Sequence, residues 1–269
     1  MKYISTGSDI HIERRDFDLD ETLDCGQAFR WEKNEKGYSG YFLNRFLELE
    51  QTDNEIIFKN TSAQDFENVW TDYFDLDIDY SQIKACLSQD RTLSEACAFA
   101  GGIRLLRQDA WEALCSFIIS QNNNIPRIKG IIGRLCEHYS GFPTATQLAT
   151  ETEESLAFLR SGFRAKYILD GAQRVAYGTT DLSEIAQMPI EEARRELMLI
   201  KGVGPKVAEC VLLFGMYRTE AFPVDVWIKR VLAEYYPQGF PEFAGKSAGI
   251  AQQYLFHYMR KSVSKAHGE

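Results

Sequence analysis

The sequence predicts an α+β fold: an N-terminal antiparallel β-sheet domain followed by a mostly helical body that contains a helix-hairpin-helix motif. Three observations carry the prediction. Residues 1–60 alternate apolar and polar side chains between turn signals. From about residue 63 onward the apolar residues recur at helical spacing instead. Finally, Ile200-Lys201-Gly202-Val203-Gly204-Pro205-Lys206 sets two glycines between the end of one amphipathic stretch and the proline that opens another. No linker rich in Pro, Gly or Ser separates the parts. The expected division is therefore residues 1–80 for the sheet domain and 81–269 for a helical body of two lobes with the site between them.

Taken in order, strand-like alternation covers residues 16–20, 27–31, 38–43 and 55–58, read as antiparallel hairpins. Helical spacing follows over 110–120, 126–139, 153–160, 165–177 and 190–200, and again beyond Asp225. Gly202 and Gly204 permit a tight turn between a helix ending near Lys201 and one starting at Pro205. Proline suits that first helical position, where its missing N–H is not needed.

Composition narrows the class. At 269 residues, with 45% hydrophobic content, 17 Phe, 13 Tyr and 4 Trp, the chain can build a sizeable core. No run of 18 apolar residues occurs, and Met-Lys-Tyr-Ile-Ser-Thr-Gly at the start lacks the apolar centre of a signal peptide. A cytoplasmic protein, nucleoid-associated in a prokaryote, with no membrane partner is expected. Cys25, Cys86, Cys97, Cys115, Cys136 and Cys210 form no Cys-x-x-Cys pair, which predicts reduced core thiols and no metal or iron-sulfur cluster. His11, His138, His257 and His267 likewise lack metal-ligand spacing. The net charge of -9 is uneven: residues 1–100 hold 10 Lys and Arg against 21 Asp and Glu, so the remainder is slightly basic. Charge alone does not suggest a polyanion as partner; it only leaves the C-terminal part free to face one.

The hairpin carries the chemistry. A glycine turn leading into a helix N-terminus points backbone amides outward, so Gly202, Val203 and Gly204 suit a phosphate oxygen, and a DNA backbone is the natural ligand. Lys206 falls in the first turn of the new helix, where the macrodipole disfavours its ammonium and favours the nucleophilic amine. Asp225, after Phe222-Pro223-Val224, falls at the N-cap of the next helix, where a carboxylate is held ionised and aimed. Singly, each has a plain reading as a solvated lysine and a helix cap. Together, after a glycine hairpin, they suggest a nucleophile and its charge partner.

At this point the sequence resembles the helix-hairpin-helix DNA glycosylases and, among them, the eukaryotic-type 8-oxoguanine DNA glycosylase/lyases in a compact prokaryotic version. The resemblance rests on six ordered blocks: Cys25-Gly26-Gln27-Ala28-Phe29-Arg30-Trp31, the Ser120 to Ile128 stretch with Asn122, Asn123 and Asn124, Gly162-Phe163-Arg164-Ala165-Lys166-Tyr167, the hairpin with Lys206, Pro223-Val224-Asp225-Val226, and Gly249 to Phe256. The resemblance implies that the Gly26 carbonyl accepts the N7 hydrogen of the damaged base. It further implies that Cys210 and Phe256 stack on the two faces of that base and that Gln252 bonds its pairing edge. Asn122, Arg127, Phe163 and Arg164 match the residues that fill the vacated duplex position and hold the orphaned cytosine. The chain departs from the eukaryotic pattern at Phe163, which replaces a tyrosine wedge, at Trp227, which replaces a phosphate-contacting histidine, and at Glu209, which replaces an aspartate.

The implied function is a bifunctional glycosylase/lyase that removes 8-oxoguanine, preferentially opposite cytosine, through a lysine Schiff base. A glycosylase for alkylated or ring-opened purines is the first alternative, and a non-catalytic DNA clamp the second. The expected partner is double-stranded DNA containing oxidised guanine, bound by a monomer. No cofactor is required on this reading, with a monovalent cation at the hairpin as the one candidate ion.

Overall fold

The computed structural model describes residues 2–267, with side chains through residue 261. Six antiparallel strands open the chain: β1 (Ile4–Thr6), β2 (Asp9–Glu13), β3 (Trp31–Lys33), β4 (Gly37–Phe42), β5 (Arg45–Gln51) and β6 (Glu55–Lys59), ordered β1-β2-β6-β5-β4-β3. Alternation buries Ile10 and Ile12 of β2, Leu47 and Leu49 of β5, and Ile56 and Phe58 of β6 on one face. That face packs on Phe66, Trp70 and Tyr73 from the helical stretch through residues 63–73 and on Phe74 just after it. Trp31 is fully buried among them, its Nε1 donating to the Tyr73 hydroxyl at 2.7 Å.

Two expected strands are something else. Asp18 caps a short helix, Leu19–Leu23, because its carboxylate accepts the Glu21 N–H at 3.0 Å and so satisfies an orphan donor that a strand would have to pair. Residues 27–30 run as a loop that ends where β3 begins. Gln27 explains it: buried, its amide donates to the carbonyls of Thr22 (2.9 Å) and Arg104 (2.8 Å) and accepts from the Leu106 N–H (3.0 Å). These bonds take the place of a ladder and fasten the loop, with Gly26 beside it, to the helical body.

The helices follow the expected spacing at 110–120, 125–139 and 165–176. The 153–160 segment is a 3-10 turn, Ser155–Leu159, and the helix before the hairpin stops at Leu197, leaving 198–203 to turn. The two hydrophobic cores interlock. Leu106 from the helical body belongs to the sheet core, while Phe29 from the sheet region belongs to the helical core. The last helix, Ala248–His267, crosses back to the loop holding Gly26, where Arg260 donates to the Asp24 carbonyl at 2.9 Å.

His257 on that helix is buried with its Nδ1 unpartnered among the described residues. Burial, reinforced by the charges of Arg260 and Lys261, pushes its imidazole down to about 4. The folded chain thus binds fewer protons than the unfolded chain from about pH 6.5 down to that value, and stability falls as the solution is acidified across this window. The expected loss is roughly 1 to 2 kcal/mol at pH 5 relative to pH 7. Urea midpoints at the two pH values should show it in the wild type and a smaller loss in His257→Gln; equal losses would assign the acid sensitivity elsewhere.

Candidate active site

Four separate segments meet around one small cavity. Its walls are Cys25 and Gly26, Lys206 and Cys210, Pro223 and Asp225, and Gln252, Gln253 and Phe256, with Phe117 and Phe214 beneath. The pairing is helical arithmetic. Lys206 and Cys210 stand four residues apart on one helix, Gln252 and Phe256 four apart on another, so each pair lies on a single face.

The hairpin sets Lys206. Gly202 adopts φ +80, and the ring of Tyr167 packs where a Cβ would stand, so only glycine fits the turn. Asp170 holds the turn by accepting the Lys201 N–H at 2.9 Å. Ile200 and Val203 point their side chains into the core. Gly204 is the N-cap of the Pro205–Cys210 helix and has no side chain to bond the first amides, which remain uncapped. Lys206 leaves this helix half-buried, with Nζ 3.4 Å from Ser120 Oγ and 5.3 Å from the centre of the Phe117 ring. The buried Cys210 thiol is pushed above its usual range by desolvation, an effect that the nearby Lys206 opposes.

Asp225 stands at the N-cap of the Val226–Tyr235 helix. Its Oδ1 accepts from Trp227 N (2.9 Å) and Ile228 N (2.8 Å), which fixes the carboxylate at the cavity wall. The approach to it is anchored as well: buried Glu209 pairs with Arg194 and accepts the Phe222 N–H at 2.7 Å. Glu209 therefore ties the segment before Asp225 to the hairpin helix. Trp227 is half-buried, its ring 5.1 Å from the Arg230 guanidinium carbon.

Gly26 adopts φ +86, a conformation that side chains resist, and a Cβ there would press Ile125 at 3.3 Å. Gln252 is buried, whereas Phe256 is half-exposed. The cavity measures about 60 Å³. Among its aromatic walls Phe256 is half-exposed, whereas Phe117 and Phe214 are buried. A larger space of about 520 Å³, lined by Phe29, Tyr41, Ile132 and Cys136 among others, lies between the sheet and the Ile125–Tyr139 helix, away from Lys206 and Asp225.

The second expected group gathers on two adjoining loops. Asn122 is exposed with φ +46, and Asn124 caps the Ile125–Tyr139 helix by accepting the Arg127 N–H at 3.0 Å. Arg127 is exposed, its only described side-chain bond a 3.4 Å contact to the Arg160 carbonyl. Phe163 projects into solvent, 45% exposed, with its ring 5.8 Å from Tyr167. Arg164 differs from the expectation that it faces a base. It is 2% exposed, and its guanidinium donates to the carbonyls of Gln121, Asn122 (2.9 Å) and Ser161 (3.1 Å). Four of the five guanidinium donors go to these carbonyls, so Arg164 braces the loop that carries Asn122.

Phe117, Ser120 and Gln253 were not singled out by sequence reasoning. Phe117 and Gln253 are buried at helical spacing and carry no signal that separates them from core residues.

Comparison with known proteins gives a consistent result. Residues 9–114 match the family described as 8-oxoguanine DNA glycosylase, N-terminal domain, and residues 115–239 match the HhH-GPD superfamily base excision DNA repair protein. An N-glycosylase/DNA lyase of Saccharomyces cerevisiae is 31% identical over 264 residues, covering 84% of this chain and 70% of the relative. Among solved structures, MBOgg1 in complex with a low-affinity DNA ligand superposes with a TM-score of 0.91 at 42% identity, covering 98% of this chain and all (100%) of that one. The Clostridium acetobutylicum 8-oxoguanine glycosylase/lyase, bound to duplex DNA with cytosine opposite 8-oxoguanine, gives a TM-score of 0.90 at 37% identity, over 98% and 99% of the two chains.

Proposed function

The chain belongs to the 8-oxoguanine DNA glycosylase/lyase family of the HhH-GPD superfamily, acting in base excision repair as a bifunctional enzyme on duplex DNA, and we propose that Lys206 is the residue through which it acts. The observation that carries this reading is that Lys206 and Asp225 share one cavity with Gly26, Cys210, Gln252 and Phe256. The Lys206 amine attacks the sugar C1′ of an extruded 8-oxoguanosine, the C1′–N9 bond breaks, and the base leaves. Asp225 stabilises the positive charge that develops on the sugar as that bond opens. The sugar ring then opens as the C1′–O4′ bond breaks and the amine proton passes to O4′, giving a Schiff base whose C2′ proton is lost as the 3′ phosphate departs in β-elimination.

The cavity walls carry a group for each part of the extruded base. Gly26 offers its carbonyl to the N7 hydrogen that distinguishes 8-oxoguanine from guanine, Cys210 and Phe256 offer faces, and Gln252 offers an amide to the pairing edge. The uncapped amides after Gly202, Val203 and Gly204 suit the flanking phosphate. Among the described backbone bonds none ends on the carbonyls of Lys201, Gly202 or Val203, which are oxygens of the kind a monovalent cation takes. No cofactor enters these steps. We further propose that the protein acts as a monomer in the cytoplasm.

Borohydride reduction with an 8-oxoguanine duplex tests the reading: a covalent protein–DNA adduct is expected, and excision without any trapped adduct would leave the chain a glycosylase of another mechanism. Preference for cytosine opposite the lesion supplies a second measurement. Exposed Arg127 and Asn122 are the groups able to reach the orphaned base, and a good bidentate contact discriminates bases by about 1 to 3 kcal/mol. Arg127→Ala is expected to cut the cytosine-over-adenine excision ratio by roughly 5-fold to 150-fold. Arg164→Ala, which loosens the loop instead, should lower excision opposite every base alike. A ratio unmoved by Arg127→Ala assigns that arginine to the phosphate backbone.

A further inference from the structure

Gln252 is held by a chain of buried groups. Gln253 Nε2 donates to Gln252 Oε1 at 2.7 Å, and Gln253 Oε1 lies 3.7 Å from Cys25 Sγ. Both glutamines are buried, at 3% and 4% exposure, and Cys25 at 1%. From this geometry we propose that Gln253 is a positioning residue that fixes the amide orientation of Gln252 and thereby selects a guanine-type over an adenine-type pairing edge. The proposal rests on the reading that Gln252 meets the extruded base.

A glutamine amide has one accepting end and one donating end, and rotation by half a turn exchanges them. A guanine-type edge offers N1–H as donor beside O6 as acceptor, whereas an adenine-type edge offers N1 as acceptor beside the N6 amino donor. Each edge thus pairs with one orientation of the amide and opposes the other. Left free, Gln252 would turn to suit either. Gln253 removes that freedom, because only the oxygen end of Gln252 can receive its N–H. Gln252 Oε1 keeps a second lone pair for N1–H, and its Nε2 has no acceptor among the described residues, leaving it for O6. The pattern matches guanine and leaves buried groups unpaired against adenine, which is the costly kind of mismatch. Cys25 lies behind the pair: burial pushes its thiol up to about 11, so it keeps its one hydrogen at neutral pH, which the Thr22 carbonyl (3.2 Å) and Gln253 Oε1 (3.7 Å) share as acceptors.

The test compares single-turnover excision of 8-oxoguanine and 8-oxoadenine, both opposite cytosine, with strand cleavage at a preformed abasic site as the measure of intact chemistry. Gln253→Met, which keeps the volume and removes the donor, is expected to narrow the preference for 8-oxoguanine by roughly 5-fold to 150-fold while abasic-site cleavage stays near wild type. An unchanged preference with intact cleavage overturns the proposal. Should Gln253→Met lose cleavage as well, near-isosteric Gln253→Glu decides. Its protonated acid donates to Gln252 as the amide does, whereas its carboxylate only accepts and turns Gln252 over, so 8-oxoguanine excision should fall with rising pH more steeply than in the wild type. Parallel pH profiles overturn the proposal. Failure of the underlying reading is distinguishable, because the wild-type preference would then be untouched by Gln252→Met.

Discussion

Lys206→Gln is expected to abolish both base excision and borohydride trapping, by on the order of 10⁴-fold or more, because removal of a nucleophile takes with it every step that depends on the covalent intermediate. Binding to a lesion duplex should survive. The uncapped amides of the hairpin belong to the backbone and are untouched by the substitution. Stability should change little as well. The side chain gives up a 3.4 Å contact to Ser120 and a position over the Phe117 ring, interactions of about 1 kcal/mol each, and it also gives up a half-buried charge. The measurement is single-turnover excision beside a thermal melt and a binding isotherm. Trapping that persists in a folded Lys206→Gln would move the nucleophile to another amine, and a variant that melts far below wild type would make the residue structural.

Asp225→Asn should slow excision by roughly 10²-fold to 10³-fold while leaving fold and binding in place. The magnitude is that of removing one preorganised charge from a site where charge develops in the transition state. Asparagine is the right replacement for a physical reason. Asp225 caps its helix through one oxygen that receives the N–H groups of Trp227 and Ile228. An asparagine carbonyl caps a helix about as well as a carboxylate does, so the variant keeps the cap and loses only the charge. Asp225→Ala loses both and should cost about 1 kcal/mol of stability in addition. Wild-type excision by Asp225→Asn would falsify the electrostatic role and leave Asp225 a helix cap.

These two residues show how far one-dimensional reading reaches. Lys206 and Asp225 were legible because local rules place them: a glycine turn, a proline at the first helical position and an N-cap are each encoded within a few residues. The structure keeps Gly204 as N-cap, Pro205 as the first residue of the helix and Asp225 as a cap. Their meeting in a single cavity is also tightly constrained, since few residues separate them. The strand candidates fared less well where a local rule competed with alternation. Asp18 caps a helix where residues 16–20 read as a strand, and the buried bonds of Gln27 to residues about 80 positions away turned residues 27–30 into a loop.

What the sequence by itself determined is the fold class, the hairpin, the family to which the chain belongs and the lysine and aspartate proposed as nucleophile and charge partner. These depend on periodicity, on turn residues and on motifs, all of them short-range. Only the tertiary structure decided which equivalent-looking residues face the cavity and which serve as braces. Arg127 and Arg164 are both arginines at positions matched by resemblance, yet one is exposed and the other spends its donors on the carbonyls of Gln121, Asn122 and Ser161. Gln252 and Gln253 are adjacent, and the structure alone distinguishes the amide that accepts through its oxygen from the one that donates through its nitrogen. The physical reason is that a polar side chain acts according to where its donors and acceptors end, and for a buried one those partners come from segments distant in sequence: Cys25 lies 228 residues from Gln253 along the chain and 3.7 Å from it in space.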